Sequence, residues 1–253
     1  MSKPFSPKPT KYALDGRETD LLHYIYAQDL SALTNNPTNL LSAINTYSTT
    51  TNPLMNIGPA KGAYIEELIN AQKASLMIEL GGYIGYSAIQ FGAAMRAHGG
   101  KYISLEINPE MAAVANQLIS LAGLSDTVSV IVGTAAETLR GLVSSKQVEG
   151  VIPMLFLDHW QSVYLSDLKL LEGLGAVGVG SVVLADNVIF PGAPDYLEWV
   201  QASCDGKRGL NLKEKEGEKG DAGLVYETHV TEFETQFGKD GVAVTKVVGR
   251  EAI

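Results

Sequence analysis

The sequence predicts an α/β protein: one open, doubly wound sheet of seven mostly parallel strands, with helices on both faces and a helical extension at the amino terminus. Short apolar runs between Leu76 and Leu184 alternate with segments of helical periodicity. Each run is too short for a buried helix and is followed by a glycine or a polar residue. Two further segments near the carboxyl terminus alternate apolar and polar residues and supply the closing strands.

Taken in order, residues 1–18 read as a flexible arm, because Met1 to Lys11 carries Pro and Lys but no signal-peptide core. An N-terminal helical region spans residues 19–72. Within it, Asp20 to Leu30 sets Leu21, Leu22, Ile25 and Tyr26 on one helix face, and Asn39 to Tyr47 does the same with Leu40, Leu41 and Ile44. Lys61 to Ala71 is a third amphipathic helix. The core occupies residues 73–253, with strands predicted at Leu76 to Leu80, Tyr102 to Leu105, Val128 to Val132, Met154 to Leu157 and Ser181 to Leu184. Helices are predicted at Ser87 to Ala97, Pro109 to Ala122, Ala136 to Ser144, Tyr164 to Leu174 and Pro194 to Ser203. Asp205 to Gly223, rich in Gly, Lys and Glu, reads as a charged surface loop without a site. Leu224 to Phe233 and Val242 to Val248 close the sheet, joined by a turn at Gly238-Lys239-Asp240-Gly241. The chain thus reads as a single Rossmann-like domain, in which ligands bind at the carboxyl ends of the strands.

Charge and cysteine content narrow the function. A net charge of -9 over 253 residues leaves no clustered Lys and Arg for phosphate neutralisation, so no nucleic acid is expected as partner. One cysteine, Cys204, cannot form an internal disulfide, and no Cys/His cluster has zinc spacing. No apolar run has membrane length. The expectation is a cytoplasmic protein with a small-molecule partner and no membrane association; the sequence leaves its oligomeric state open.

The first strand runs into Glu79-Leu80-Gly81-Gly82-Tyr83-Ile84-Gly85, a glycine-rich turn before a helix that opens at Tyr86-Ser87. Such a turn serves dinucleotide dehydrogenases and S-adenosylmethionine-dependent methyltransferases, or no ligand at all. Glu106, at the tip of the second strand, is placed to accept both hydroxyls of a ribose, its alternative being a helix-capping carboxylate. The Gly-x-Gly-x-x-Gly spacing of a pyrophosphate site is absent, which favours a nucleoside without phosphates, and S-adenosylmethionine fits. Asp158 follows the fourth strand, and Asp186 and Asn187 follow the fifth. Two carboxylates and an amide oxygen are hard ligands suited to Mg²⁺, unless the aspartates only cap the following helices.

With Asn56-Ile-Gly-Pro-Ala-Lys-Gly62, Glu79 to Ala88, Phe156 to Trp160 and Leu184-Ala-Asp-Asn-Val-Ile189, the chain resembles the catechol O-methyltransferase family from about Leu40 to Val248. The resemblance implies Mg²⁺-dependent methyl transfer from S-adenosylmethionine to one hydroxyl of a catechol or other vicinal dihydroxy aromatic. It makes Asp158, Asp186 and Asn187 the metal ligands and Glu106 the ribose acceptor. Glu79, Gly81, Tyr83, Ser87, Ile107 and Ala135 would line the cofactor, and His159 and Trp160 would lie along the adenine and the pocket rim. Met55, Asn56 and Ile57 match a segment that closes over cofactor and substrate, and Pro191 matches a gatekeeper beside the ring. Glu234, with Glu232 as the alternative, matches the acidic residue at the second hydroxyl.

Three departures stand out. The family's base lysine is Gln161, whose neutral amide cannot accept a proton. Its tryptophan gatekeeper is Pro53, which removes an aromatic wall. Its polar pair at the adenine is Ala135-Ala136. The rival reading is accordingly a weakened or non-catalytic S-adenosylmethionine-binding protein, with a nicotinamide dehydrogenase more distant. Trp199 reads as core, His23, His98 and His229 receive no role, and Lys61 reads as a solvated helix-start lysine that could substitute as base.

Overall fold

The computed structural model describes residues 13–214, 219–235 and 238–251. Seven strands form one sheet in the order β3-β2-β1-β4-β5-β7-β6. They are β1 (Leu76–Leu80), β2 (Lys101–Glu106), β3 (Val128–Val132), β4 (Met154–Leu157), β5 (Val182–Ala185), β6 (Leu224–Thr235) and β7 (Gly238–Arg250). β2 with β3, β1 with β4 and β4 with β5 pair in parallel, whereas β7 runs antiparallel to both β5 and β6. The mostly parallel seven-stranded α/β sheet is the one the sequence predicts. No helix among the described residues is long and apolar enough to cross a membrane.

The chain divides into two compact units, the first comprising residues 13–75 and 81–134 among those described. It contains β2 and β3 with α1 (Arg17–Tyr26), α2 (Leu30–Leu33), α3 (Pro37–Thr50), α4 (Pro59–Gln72), α5 (Tyr86–Ala97) and α6 (Pro109–Leu121). Helix starts follow local rules: Asn36 and Asn108 cap α3 and α6 by accepting the N–H of Asn39 and Glu110, each with proline at the first helical position. The predicted helix from Asp20 to Leu30 is interrupted after Tyr26, and Asp29 caps a separate short turn. Arg17 and Glu18, assigned to the arm from sequence, lie in α1 and are buried. Residues 1–12 of the arm lie outside the described residues.

The second unit holds β1 and β4 to β7 with α7 (Ala135–Ser144), α8 (Tyr164–Gly173), α9 (Pro194–Gln201) and α10 (Cys204–Lys213). Helix α10 corrects the surface-loop expectation for Asp205 to Gly223. Ser203 caps it, and Cys204 and Lys207, three residues apart, turn into the core. Lys207 is fully buried, donating to the Leu224 carbonyl at 2.8 Å and lying 3.5 Å from the Tyr226 ring centroid. Trp199 is core, as expected, and its Nε1 donates to buried Glu172 at 2.9 Å. The turn expected at Gly238-Lys239-Asp240-Gly241 is instead paired strand: β6 and β7 extend until Thr235 faces Gly238.

Candidate active site

In the first unit, the glycine turn folds onto the end of β2. The N–H groups of Gly81 and Gly82 donate to the Leu105 carbonyl at 2.9 and 3.2 Å. A Cβ on Gly82 would stand 2.3 Å from Ser104 Oγ, and Gly85 combines a φ of 81° with a Cβ position 3.0 Å from Ala115 Cβ. These glycines are therefore required by the close approach of the turn to β2 and α6 before any ligand is considered. The same approach holds Glu106, 8% exposed, with Oε1 accepting the Asn108 N–H and Oε2 accepting the Tyr83 N–H, both at 2.7 Å. Burial pushes its carboxyl above the ordinary carboxylate range, opposed by those N–H groups. The backbone N–H groups of Gly82 and Ile107 act on the same carboxylate in the same direction.

Tyr83 turns its ring to the N-terminal helix, where its hydroxyl donates to Glu18 at 2.7 Å. Burial first, and then Glu18, drives its phenol well above the ordinary value. Ser87 is buried in the first turn of α5 and Ile107 is half-buried beside Glu106. Arg17, paired with Asp15 through two bonds of 2.7 Å, donates to the Pro53 carbonyl at 2.5 Å and so ties α1 to the chain just before Met55. Beyond it, Met55 is 54% exposed and Ile57 is buried. Asn56 keeps both amide atoms buried without a hydrogen-bond partner. Lys61 is buried in α4, correcting its reading as solvated, because α4 starts two residues earlier than predicted and carries it inward.

In the second unit, Leu157 pairs with Ala185, and Asp158 and Asp186 are the next residues of β4 and β5. Their N–H groups continue the ladder to the Leu80 and Leu157 carbonyls at 2.9 and 3.0 Å. Asp158 is half-buried and Asp186 buried. Both carboxylates, after burial itself, raise the phenol of Tyr164, opposed by its approach to Gln161. The sequence therefore brings these two acids together, as expected from neighbouring parallel strands. His159 stacks on Tyr164 with centroids 5.1 Å apart and pairs with Asp167 through Nε2 at 2.7 Å. Trp160 is 75% exposed, and half-buried Gln161 opens a 3-10 turn that ends at Val163. Glu79 is fully buried within β1, and Ala135 is half-buried at the start of α7.

Asn187 adopts φ 56° and ψ 32°, a left-handed conformation asparagine tolerates, and begins the turn Val188–Gly192. Its Nδ2 donates to Asp240 Oδ2 at 2.7 Å. A carboxylate only accepts, so the amide N–H₂ must face Asp240 and the amide oxygen is turned away, in the polarity a cation requires. Pro191 is exposed in that turn, and Glu232 and Glu234 are exposed on β6, with Glu232 bound to Lys239 at 2.6 Å. The acid of this hairpin that reaches Asn187 is Asp240, which sequence reasoning placed in a turn. No group of three or more His, Cys, Asp or Glu converges as a metal site among the described residues. The candidate donor set of two carboxylates and one amide oxygen lies outside that composition and has the hard-oxygen chemistry of Mg²⁺.

A family model described as O-methyltransferase matches residues 31–199. The bovine (Bos taurus) catechol O-methyltransferase is 36% identical over 201 residues, covering 79% of this chain and 72% of that protein. The mouse (Mus musculus) catechol O-methyltransferase is 41% identical over 167 residues, covering 66% and 62%. Among solved structures, an O-methyltransferase from Bacillus cereus in complex with SAH superposes with a TM-score of 0.63 at 18% identity, covering 91% of this chain and 96% of that one. That structural likeness shows the shared fold. The sequence matches go further: the chain belongs to the O-methyltransferase family and counts catechol O-methyltransferases among its relatives.

Proposed function

We propose that this enzyme transfers a methyl group from S-adenosylmethionine to one hydroxyl of a catechol or other vicinal dihydroxy aromatic with the help of Mg²⁺, and does so in the cytoplasm. The observation that carries the reading is the polarity of Asn187, set by Asp240, beside two aspartates at the ends of adjacent parallel strands. Asp158, Asp186 and Asn187 would hold the ion, which when bound supplies charge that lowers the pKa of a substrate hydroxyl and orients both oxygens. Glu106 would accept the ribose hydroxyls, with Glu79, Gly81, Tyr83, Ser87, Ile57, Ile107, Ala135, His159 and Trp160 around the rest of the cofactor. Met55, Trp160, Pro191 and Glu234 would border the aromatic ring.

The substrate oxygen forms its bond to the methyl carbon as the carbon–sulfur bond breaks, and the hydroxyl proton must leave. Gln161 cannot take it. A phenol with a pKa near ~10 is ionised only about 0.1% at pH 7, so the anion has to be favoured electrostatically and the proton carried off by water. Gln161 also supports a second reading, a cofactor-binding protein with little or no turnover. A mass-spectrometric screen of dihydroxy aromatics with S-adenosylmethionine, with and without Mg²⁺, decides between them. One added methyl on a vicinal diol, lost on chelation, is the expected result. No product from any diol in the presence of bound cofactor would establish the second reading instead.

A further inference from the structure

The hairpin of β6 and β7 carries a buried acid that no sequence motif announced. Asp240 is 2% exposed and is engaged on both oxygens. Its Oδ2 accepts the Asn187 amide at 2.7 Å, and its Oδ1 accepts the backbone N–H of Phe190 at 3.0 Å and of Gly241 at 2.7 Å. One carboxylate therefore grips both ends of a short span, the side chain of Asn187 and the backbone one residue before Pro191. The fit is close: a Cβ on Gly241 would stand 2.8 Å from both Ile189 Cδ1 and Val230 Cγ1, so a larger residue there would have to displace those side chains. Asn187 itself sits in a left-handed conformation that its neighbours must hold.

An asparagine presents either oxygen or nitrogen to a ligand, and the two ends have the same shape. Only a partner that accepts and never donates forces one choice. We propose that Asp240 is a positioning residue that sets the polarity of Asn187 toward the metal and, through the same carboxylate, the course of the turn bearing Phe190 and Pro191. The inference rests on the Mg²⁺ reading above. It adds a residue that touches neither ion nor substrate but determines whether Asn187 can be a ligand. Partners that orient a metal ligand are worth about 10- to 100-fold in metal affinity or activity.

The test is a polarity swap read by calorimetric titration of the full chain with Mg²⁺, alongside thermal melting. Asp240→Asn places an amide N–H₂ against the N–H₂ of Asn187 and forces one of them to flip, and Mg²⁺ affinity should fall about 10- to 100-fold. Asn187→Asp alone sets two carboxylates against each other and should also weaken binding. The swap, Asn187→Asp with Asp240→Asn, restores one donor and one acceptor at unchanged net charge. The new amide at 240 donates to the new carboxylate at 187, whose other oxygen faces the ion, and affinity should recover over both single variants. Should Asp240→Asn prove too unstable to titrate, the comparison of the swap with Asn187→Asp carries the test. Unaltered affinity in Asp240→Asn, or a swap that recovers nothing, overturns the role of Asp240 while leaving the metal reading in place. A wild-type chain that takes up no Mg²⁺ overturns both.

Discussion

Replacing Glu106 with glutamine tests the cofactor site at the residue whose surroundings are best defined. The side chain is buried, and its two oxygens each hold a backbone N–H at 2.7 Å, one from the glycine turn at Tyr83 and one from Asn108. Glutamine keeps the shape but only one oxygen. Its N–H₂ must abut the N–H of either Tyr83 or Asn108, and the lost charge-assisted bond is worth about 1.5 to 3 kcal/mol. For a chain of this size that lowers the melting temperature by about 3 to 12 °C. If the carboxylate also accepts the two ribose hydroxyls, one more such bond disappears on binding, and Kd for S-adenosylhomocysteine should rise roughly 10- to 150-fold in a calorimetric titration. The wild type supplies a pH control. Burial raises the Glu106 carboxyl, so its protonated form is favoured in the folded state, and its contribution to stability is present at acid pH and lost as pH rises through the raised value. Cofactor affinity should run the opposite way, falling as the solution is acidified through a pH above the usual carboxylate value of about 4.3. A lowered melting temperature with an unchanged Kd would refute the ribose assignment and reduce Glu106 to a clasp between β2 and the turn.

Three further outcomes are expected. On the proposed reading, in which Asp158 would serve the substrate oxygens, Asp158→Ala should abolish methylation in a product assay while leaving calorimetric binding of S-adenosylmethionine within a few-fold of wild type; loss of cofactor binding in a folded variant would contradict this. Gln161→Lys should raise the rate near pH 7, whereas the wild-type rate should climb toward alkaline pH as the phenol ionises; a flat wild-type profile between about pH 6.5 and 9.5, with no gain in the lysine variant, would point to another base. Tyr83→Phe removes the 2.7 Å bond to Glu18 and should cost about 1.5 to 3 kcal/mol, read as faster hydrogen exchange in α1; unchanged protection there would show that the bond does not hold the helix.

Much of the site was legible because parallel strands are short, buried and punctuated. The apolar runs at Leu76, Val128 and Met154 begin and end where the structure has them, and residues just beyond such runs fall at the sheet's carboxyl edge. Asp158, Asp186 and Asn187 were placed at that edge in this way. The misses share a cause. Helix α10 was hidden because a composition of Gly, Lys and Glu describes average solvation, while burial depends on two positions three residues apart, Cys204 and Lys207. Asp240 was hidden because Gly238 and Gly241 around it suggest a turn, whereas both lie in the paired strand β7, with Gly241 packed close to the Ile189 and Val230 side chains.

The sequence by itself determined the class of fold, the order of its strands along the chain and the family, since periodicity and contiguous motifs are local properties that survive without knowledge of distant partners. Only the tertiary structure decided which polar groups are paired. Tyr83 meets Glu18, and Asn187 meets Asp240, across 65 and 53 residues of chain. A hydrogen bond is satisfied within a few tenths of an ångström by whichever residue the fold delivers, and no spacing in the sequence encodes that delivery.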